Sequence, residues 1–187
     1  MSELPYKNAD AVQRIEALLE ERILVLDGAM GTQIQGLGFG EAEFRGGQFA
    51  DHGQDLQGCN DLLSITQSQI IREIHEAYLE AGADIIETNT FGANRFNLAE
   101  HDLRDQVQAI NQAAVSIAQR VIGGSFRDLL LAGSIGPLGV QLAPLGRVSV
   151  AEAHEAFLEQ ITALVTAEPQ GVDLLIIETM SDLKEVE

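Results

Sequence analysis

Thiol chemistry is nearly absent from this chain. Cys59 is its single cysteine, so no disulfide can form within it. That suits a reducing compartment, and a cytoplasmic location is expected. Basic residues are also scarce. Against 29 Asp and Glu stand 11 Lys and Arg, for a net charge of -18. Nucleic acid and anionic lipid both demand clustered cations, so neither partner is expected. No apolar run approaches the ~18–20 residues of a membrane-spanning helix. Met1 to Asp10 lacks the basic-then-apolar order of a signal peptide. The acidity does not imply a cationic substrate, because acidic surface commonly serves solubility.

What is present is an ordinary globular balance: 187 residues, 45% hydrophobic and 21% charged. That is enough for one domain with a sizeable core. Helical and strand-like patterns alternate. A helix is predicted from about Asn8 to Glu21, with Val12, Ile15 and Leu19 on one face. Ile23-Leu24-Val25-Leu26, closed by Asp27-Gly28, reads as a buried strand. The polar, glycine-rich stretch from about Gln35 to Asn60 is too long for an ordinary connection, so it is a functional loop or a mobile insertion.

Thr66-Gln67-Ser68-Gln69 has the form of a capping box. The helix it would open carries Ile71, Ile74, Tyr78 and Ala81 on one face and stops at Gly82. Asp84 to Thr88 reads as the second strand. Val107, Ile110, Ala114, Ile117 and Val121 stripe the next helix, and Leu129 to Ala132 form the third strand. A second capping box, Ser149 to Glu152, opens a helix striped by Phe157, Ile161, Leu164 and Val165. Leu174 to Glu178 form the fourth strand, and Asp182 with Glu185 starts another helix.

Continuous apolar strands alternating with helices imply a parallel sheet with helices packed outside it. Two architectures fit: a doubly wound open sheet, or part of an eight-stranded barrel of ~250 residues. The pattern stops inside a strand–helix unit, which leans toward the barrel half.

In both architectures functional groups gather at the C-terminal ends of strands. Those ends carry Asp27, then Glu87-Thr88-Asn89-Thr90, then Ser134, then Glu178-Thr179. Carboxylates there suit an ammonium group, a metal ion or acid–base work. Equally, single carboxylates at such places cap the following helix. Asp27-Gly28-Ala29-Met30-Gly31-Thr32 follows a strand but lacks the GxGxxG spacing and the P-loop lysine, so a nucleotide site is not expected. Its backbone N–H groups can hold a small carboxylate. His52, His75, His101 and His154 are scattered, and Cys59 has no second thiolate. These residues alone do not form a zinc site. His75 and His154 read as surface or helix-packing residues, and Cys59 as a small buried apolar side chain.

Several segments resemble a known family. Leu26 to Thr32 is similar to the opening motif of the homocysteine S-methyltransferases, and Gly58-Cys59-Asn60-Asp61-Leu62-Leu63 to their second. Glu80 to Phe91, containing Glu87-Thr88-Asn89-Thr90-Phe91, is similar to their third and is the most specific. Gly133-Ser134-Ile135-Gly136-Pro137 and Ile177-Glu178-Thr179 complete the set in order. The resemblance runs from about Arg22 to the end. Phe44-Arg45-Gly46 to Phe49-Ala50-Asp51 resembles the branch that uses methylcobalamin, reloaded from methyltetrahydrofolate on later domains. The Gly133 to Gly146 segment is equally similar to members joined to a methylenetetrahydrofolate reductase.

The resemblance implies an α/β fold: the N-terminal half of a (β/α)8 TIM barrel, residues 23–187, behind a helical extension, residues 1–22. It implies L-homocysteine as substrate, activated as a zinc-bound thiolate that attacks a methyl donor. Asp27 and Glu178 match family carboxylates that position homocysteine. The N–H groups of Gly28, Ala29 and Met30 would hold its carboxylate, and Asn89, Thr90 and Ser134 match pocket positions. The family's zinc cysteines lie on later strands, one near the sixth and an adjacent pair after the eighth, so they are expected beyond residue 187. Cys59 matches a non-ligand position. The barrel is therefore expected to be incomplete at its C-terminus, without zinc or a catalytic group of its own, inactive alone, and missing its second half and downstream domains. A non-catalytic half-barrel binding module is the competing reading. A carboxylate-assisted aldolase would want a lysine at a strand end, and none is there.

Overall fold

The computed structural model describes residues 9–187. In chain order the helices and strands are α1 (Ala9–Glu21), α2 (Met30–Gly36), α3 (Glu41–Arg45), α4 (Leu63–Thr66), α5 (Ser68–Ala81), β1 (Ile85–Glu87), α6 (Arg95–Ala99), α7 (Val107–Gly123), β2 (Leu130–Ile135), α8 (Val150–Val165), β3 (Leu174–Ile177) and α9 (Leu183–Val186). The strands form one parallel sheet in the order β1-β2-β3. Glu87 pairs with Ala132 across the first ladder, and Ala132 with Leu174 across the second. Each crossover is helical, through α7 and then α8, as parallel neighbours require. The fold is α/β with a small parallel sheet.

Periodicity explains the helical cover. Val107, Ile110, Ala114, Ile117 and Val121 recur at three- and four-residue intervals on α7, and all five are buried. The sheet packs through Ile86, Leu131 and Ile135 against Val115, Ala118 and Leu164. A second cluster, containing Ile34, Phe44, Leu56, Leu62 and Leu63, packs on Ile71, Ile110 and Ile117. The glycine-rich stretch is thus part of the core. Two ionised side chains organise it by charge-assisted hydrogen bonds. The Arg45 guanidinium donates to the carbonyls of Phe49, His52 and Gln54, and the Glu41 carboxylate accepts from the N–H groups of Leu56 and Gln57.

Three sequence expectations are corrected. Residues 23–26 are no buried strand. Only Leu26 bridges β1, at Ile85, and Ile23 and Val25 are 88% and 52% exposed. Among the described residues this segment has the sheet on one side only, and α1 buries little besides Ala11; Leu19 is exposed. The predicted start of α1 at Asn8 lies outside the described residues. Secondly, Thr66 caps nothing. It is the last residue of α4, its hydroxyl donates back to the Leu62 carbonyl, and α5 opens at Ser68 without a side-chain cap. The second capping box is as expected, with both arms formed between Ser149 and Glu152. Thirdly, β2 runs on through Gly133 and Ser134 to Ile135. Gly133 permits this because a Cβ there would lie 3.0 Å from Leu175 and 3.1 Å from Leu164.

Beneath the sheet, Asp84 clamps the 22–26 segment. Its carboxylate accepts from Arg22 at 2.6 Å, from Arg127 and from the Val25 N–H. The Arg22 bond is the main reason its carboxyl is held below the ordinary range.

Candidate ligand-binding site

The C-terminal strand ends open onto one cavity of about 590 Å³. Asp27, Gly28, Ala29 and Met30 line it from one side, and Asn89, Thr90, Ser134 and Glu178 from the others, so all eight residues expected to bind homocysteine lie on it. Two sharp turns aim the outer carboxylates. Ala29, at the head of α2, and Thr179, directly after Glu178, both have left-handed φ (50° and 60°). Such φ values are costly for residues with a Cβ and tend to mark functional sites.

The Asp27 carboxylate is almost wholly covered, 4% exposed. Its N–H donates to the Ile85 carbonyl, and its Oδ1 accepts the Glu87 N–H at 2.9 Å. The side chain thereby stands in for one more rung of the ladder that Leu26 begins. Ser134, buried on β2, donates its hydroxyl to Glu178 Oε1 at 2.7 Å and so fixes that carboxylate.

A closed ring of three hydrogen bonds stiffens the floor. The Ser134 carbonyl can only accept, so the Thr90 hydroxyl donates to it at 2.8 Å. Thr88 must then donate to Thr90, at 2.7 Å, and the Ser134 N–H donates to Thr88. The Thr90 carbonyl accepts from Gln160 on α8, and Asn89 donates to the Asn60 carbonyl and the Ser64 hydroxyl. Thr90 and Asn89 therefore shape the cavity with side chains already bonded inside the protein.

Two carboxyls there have raised pKa values. Glu87 is pushed up to about 7, chiefly by burial and then by the charge of Glu178, with Asp27 adding to it and a hydrogen bond from Ser134 opposing it. Its Oε1 is buried and has no hydrogen-bond partner among the described residues. Asp61 is pushed up to about 6 by burial, although it accepts the Gly92 N–H at 2.9 Å. It belongs to the Gly58 to Leu63 motif, and it holds the loop after β1 against the cavity wall. The motif marked this stretch, but nothing in the spacing showed which loop Asp61 would grip.

The family model for homocysteine S-methyltransferase matches residues 24–187. The chain belongs to the homocysteine S-methyltransferase family. It is 37% identical over 169 residues to methionine synthase of Mycobacterium tuberculosis, a match covering 89% of this chain and 13% of that protein. The metallated form of the homocysteine methyltransferase MmuM from Escherichia coli aligns with a TM-score of 0.70 at 25% identity, over 92% of this chain and 59% of that one. Its apo form aligns with a TM-score of 0.62 at 26% identity, over 92% and 55%. The chain thus spans less than two thirds of the relatives it matches.

Zinc, implied by the family resemblance, does not fit the residues present. Among the described residues no group of three or more His, Cys, Asp and Glu is placed to hold a metal ion. Cys59 is buried on the cavity wall, and burial, with Asp61 beside it, pushes its thiol up to about 12. A thiol held that far from ionisation is a poor ligand and a poor nucleophile.

Proposed function

We propose that this chain forms the homocysteine-binding face of a homocysteine S-methyltransferase, laid out as the first half of a (β/α)8 barrel. The observation that carries this reading is the convergence of Glu178, Glu87 and Ser134 at one mouth beside the turn that opens α2. Homocysteine brings an ammonium, a carboxylate and a thiol. Glu178, oriented by the Ser134 hydroxyl, pairs with the ammonium. The backbone N–H groups of Gly28, Ala29 and Met30, at and just before the start of α2, face the carboxylate. With both ends held, the thiol extends toward the open side. Zinc, cobalamin and methyltetrahydrofolate are placed by this reading on parts of a methionine synthase that the chain, spanning 13% of one, does not cover.

Calorimetric titration with L-homocysteine tests the reading. The wild-type chain is expected to bind, and Glu178→Gln to lose roughly ten- to a hundredfold in affinity, because a charge-assisted hydrogen bond contributes about 1.5–3 kcal/mol. 4-Mercaptobutyrate, which lacks the ammonium, should bind wild type weakly and be indifferent to the substitution. Absence of homocysteine binding, or equal losses for both ligands, overturns the assignment.

A further inference from the structure

His75 was expected at the surface or in helix packing, and the structure puts it in the interior. It is 0% exposed, on α5, and neither ring nitrogen has a hydrogen-bond partner among the described residues. An imidazole always carries at least one N–H, and leaving that donor buried and unbonded costs about 1–3 kcal/mol. One ionic acceptor lies within reach: the Nδ1 of His75 stands 3.8 Å from Asp27 Oδ2. The Glu87 N–H goes to Oδ1, so Oδ2 is left without a hydrogen bond among the described residues. The Asp27 carboxylate therefore lies between the Glu87 N–H, bonded to Oδ1, and the His75 ring beside Oδ2.

We propose that His75 is a positioning residue: its Nδ1–H donates to Asp27 Oδ2, and through Asp27 it fixes the Glu87 end of β1 against the cavity. The bond requires the two atoms to close by roughly 0.6–1.1 Å, to the 2.7–3.2 Å of an N–H···O bond. Nδ1 protonation leaves at Nε2 a lone pair that is buried and has no partner among the described residues. Asp27 then acts as a brace, and Glu178 becomes the carboxylate that meets the ligand ammonium. This inference rests on reading the cavity as the homocysteine site, but its first test does not.

The test is ¹⁵N nuclear magnetic resonance on the 187-residue chain with labelled histidine, without ligand. His75 is expected to be protonated at Nδ1, and its shifts are expected to move in Asp27→Asn. A lone pair at Nδ1, or shifts indifferent to Asp27→Asn, overturns the proposal whatever the chain binds. A second series guards against loss of the fold. His75→Asn keeps an N–H donor near the Nδ1 position, His75→Gln moves it toward Nε2, and His75→Phe removes it. At matched melting temperatures, His75→Asn should hold homocysteine within about threefold of wild type. His75→Gln and His75→Phe should lose about tenfold, or ~1.4 kcal/mol. Equal affinity across the three variants also overturns it. If wild type shows the Nδ1–H bond yet binds no homocysteine, the functional reading fails and the Asp27–His75 pair stands.

Discussion

At the scale of single residues, the cavity is governed by a carboxyl that resists ionising. Glu87 titrates near 7 in the folded chain against an ordinary value of 4.5. The folded state therefore holds this proton more tightly than the unfolded state. Its contribution favours folding below about 4.5 and is lost as pH rises toward about 7. Glu87→Gln removes the ionisable proton but keeps the shape. Its melting temperature relative to wild type should rise steadily between pH 5 and pH 8, and a difference that does not vary with pH would contradict the assignment. The groups facing Glu87 show why the sequence could not reveal this. The carboxylates of Glu178 and Asp27 raise its pKa, and they lie 91 and 60 positions away. Asp27, Ser134 and Glu178 were all singled out in the sequence, but only Glu178 follows a strand where its apolar run predicts; Asp27 follows a segment that is no buried strand, and Ser134 lies inside β2. His75 was not placed: the sequence left it at the surface or in helix packing, although it stands four residues after Ile71 on the buried face of α5.

At the scale of elements, sequence patterns succeeded where burial is lopsided and failed where it is not. The stripe on α7 meets a core on one face and solvent on the other, so its five apolar positions declare themselves. Residues 23–26 have the same apolar character, yet a run of four cannot say whether a partner lies on each side. The extension of β2 past Gly133 depends on a contact, not a propensity. Gly133→Ala should therefore be costly. Its new methyl would meet Leu175 and Leu164 at 3.0 and 3.1 Å, with Val172 at 3.4 Å, between sheet and α8. Overpacking of this kind costs about 1–3 kcal/mol, several degrees for a chain of this length. Gly124→Ala, an exposed position at the end of α7 where the nearest atom is a backbone oxygen at 3.5 Å, should change stability by less than about 0.5 kcal/mol. Thermal melts of the two variants side by side decide the matter, since equal melting temperatures would mean that the sheet–helix seam tolerates the methyl.

At the scale of the molecule, two forces oppose each other. Among the described residues the sheet is open at both edges, with residues 23–26 along one and β3 along the other. Ile23, Val25 and Leu26 are exposed at the first edge, and Ile177 and Leu183 at or beside the second. Unpaired strand edges flanked by apolar side chains are templates for association. Against this stands a net charge of -18, which drives copies apart. The strand–helix rhythm alone allowed a doubly wound sheet as well as a barrel, because a three-stranded parallel sheet is common to both; family motifs, not periodicity, separated them. The balance of forces is open to measurement. Charge repulsion between surfaces is screened within about 8 Å at 0.15 M salt, whereas contacts between apolar edges are not weakened by it. Sedimentation velocity should therefore show self-association that grows with protein concentration and with added salt. Ile177→Lys puts a charge on a 51% exposed position of the β3 edge and should suppress it, while leaving the melting temperature nearly unchanged. Association that salt weakens would instead mean that ionic contacts, not bare edges, bring the copies together.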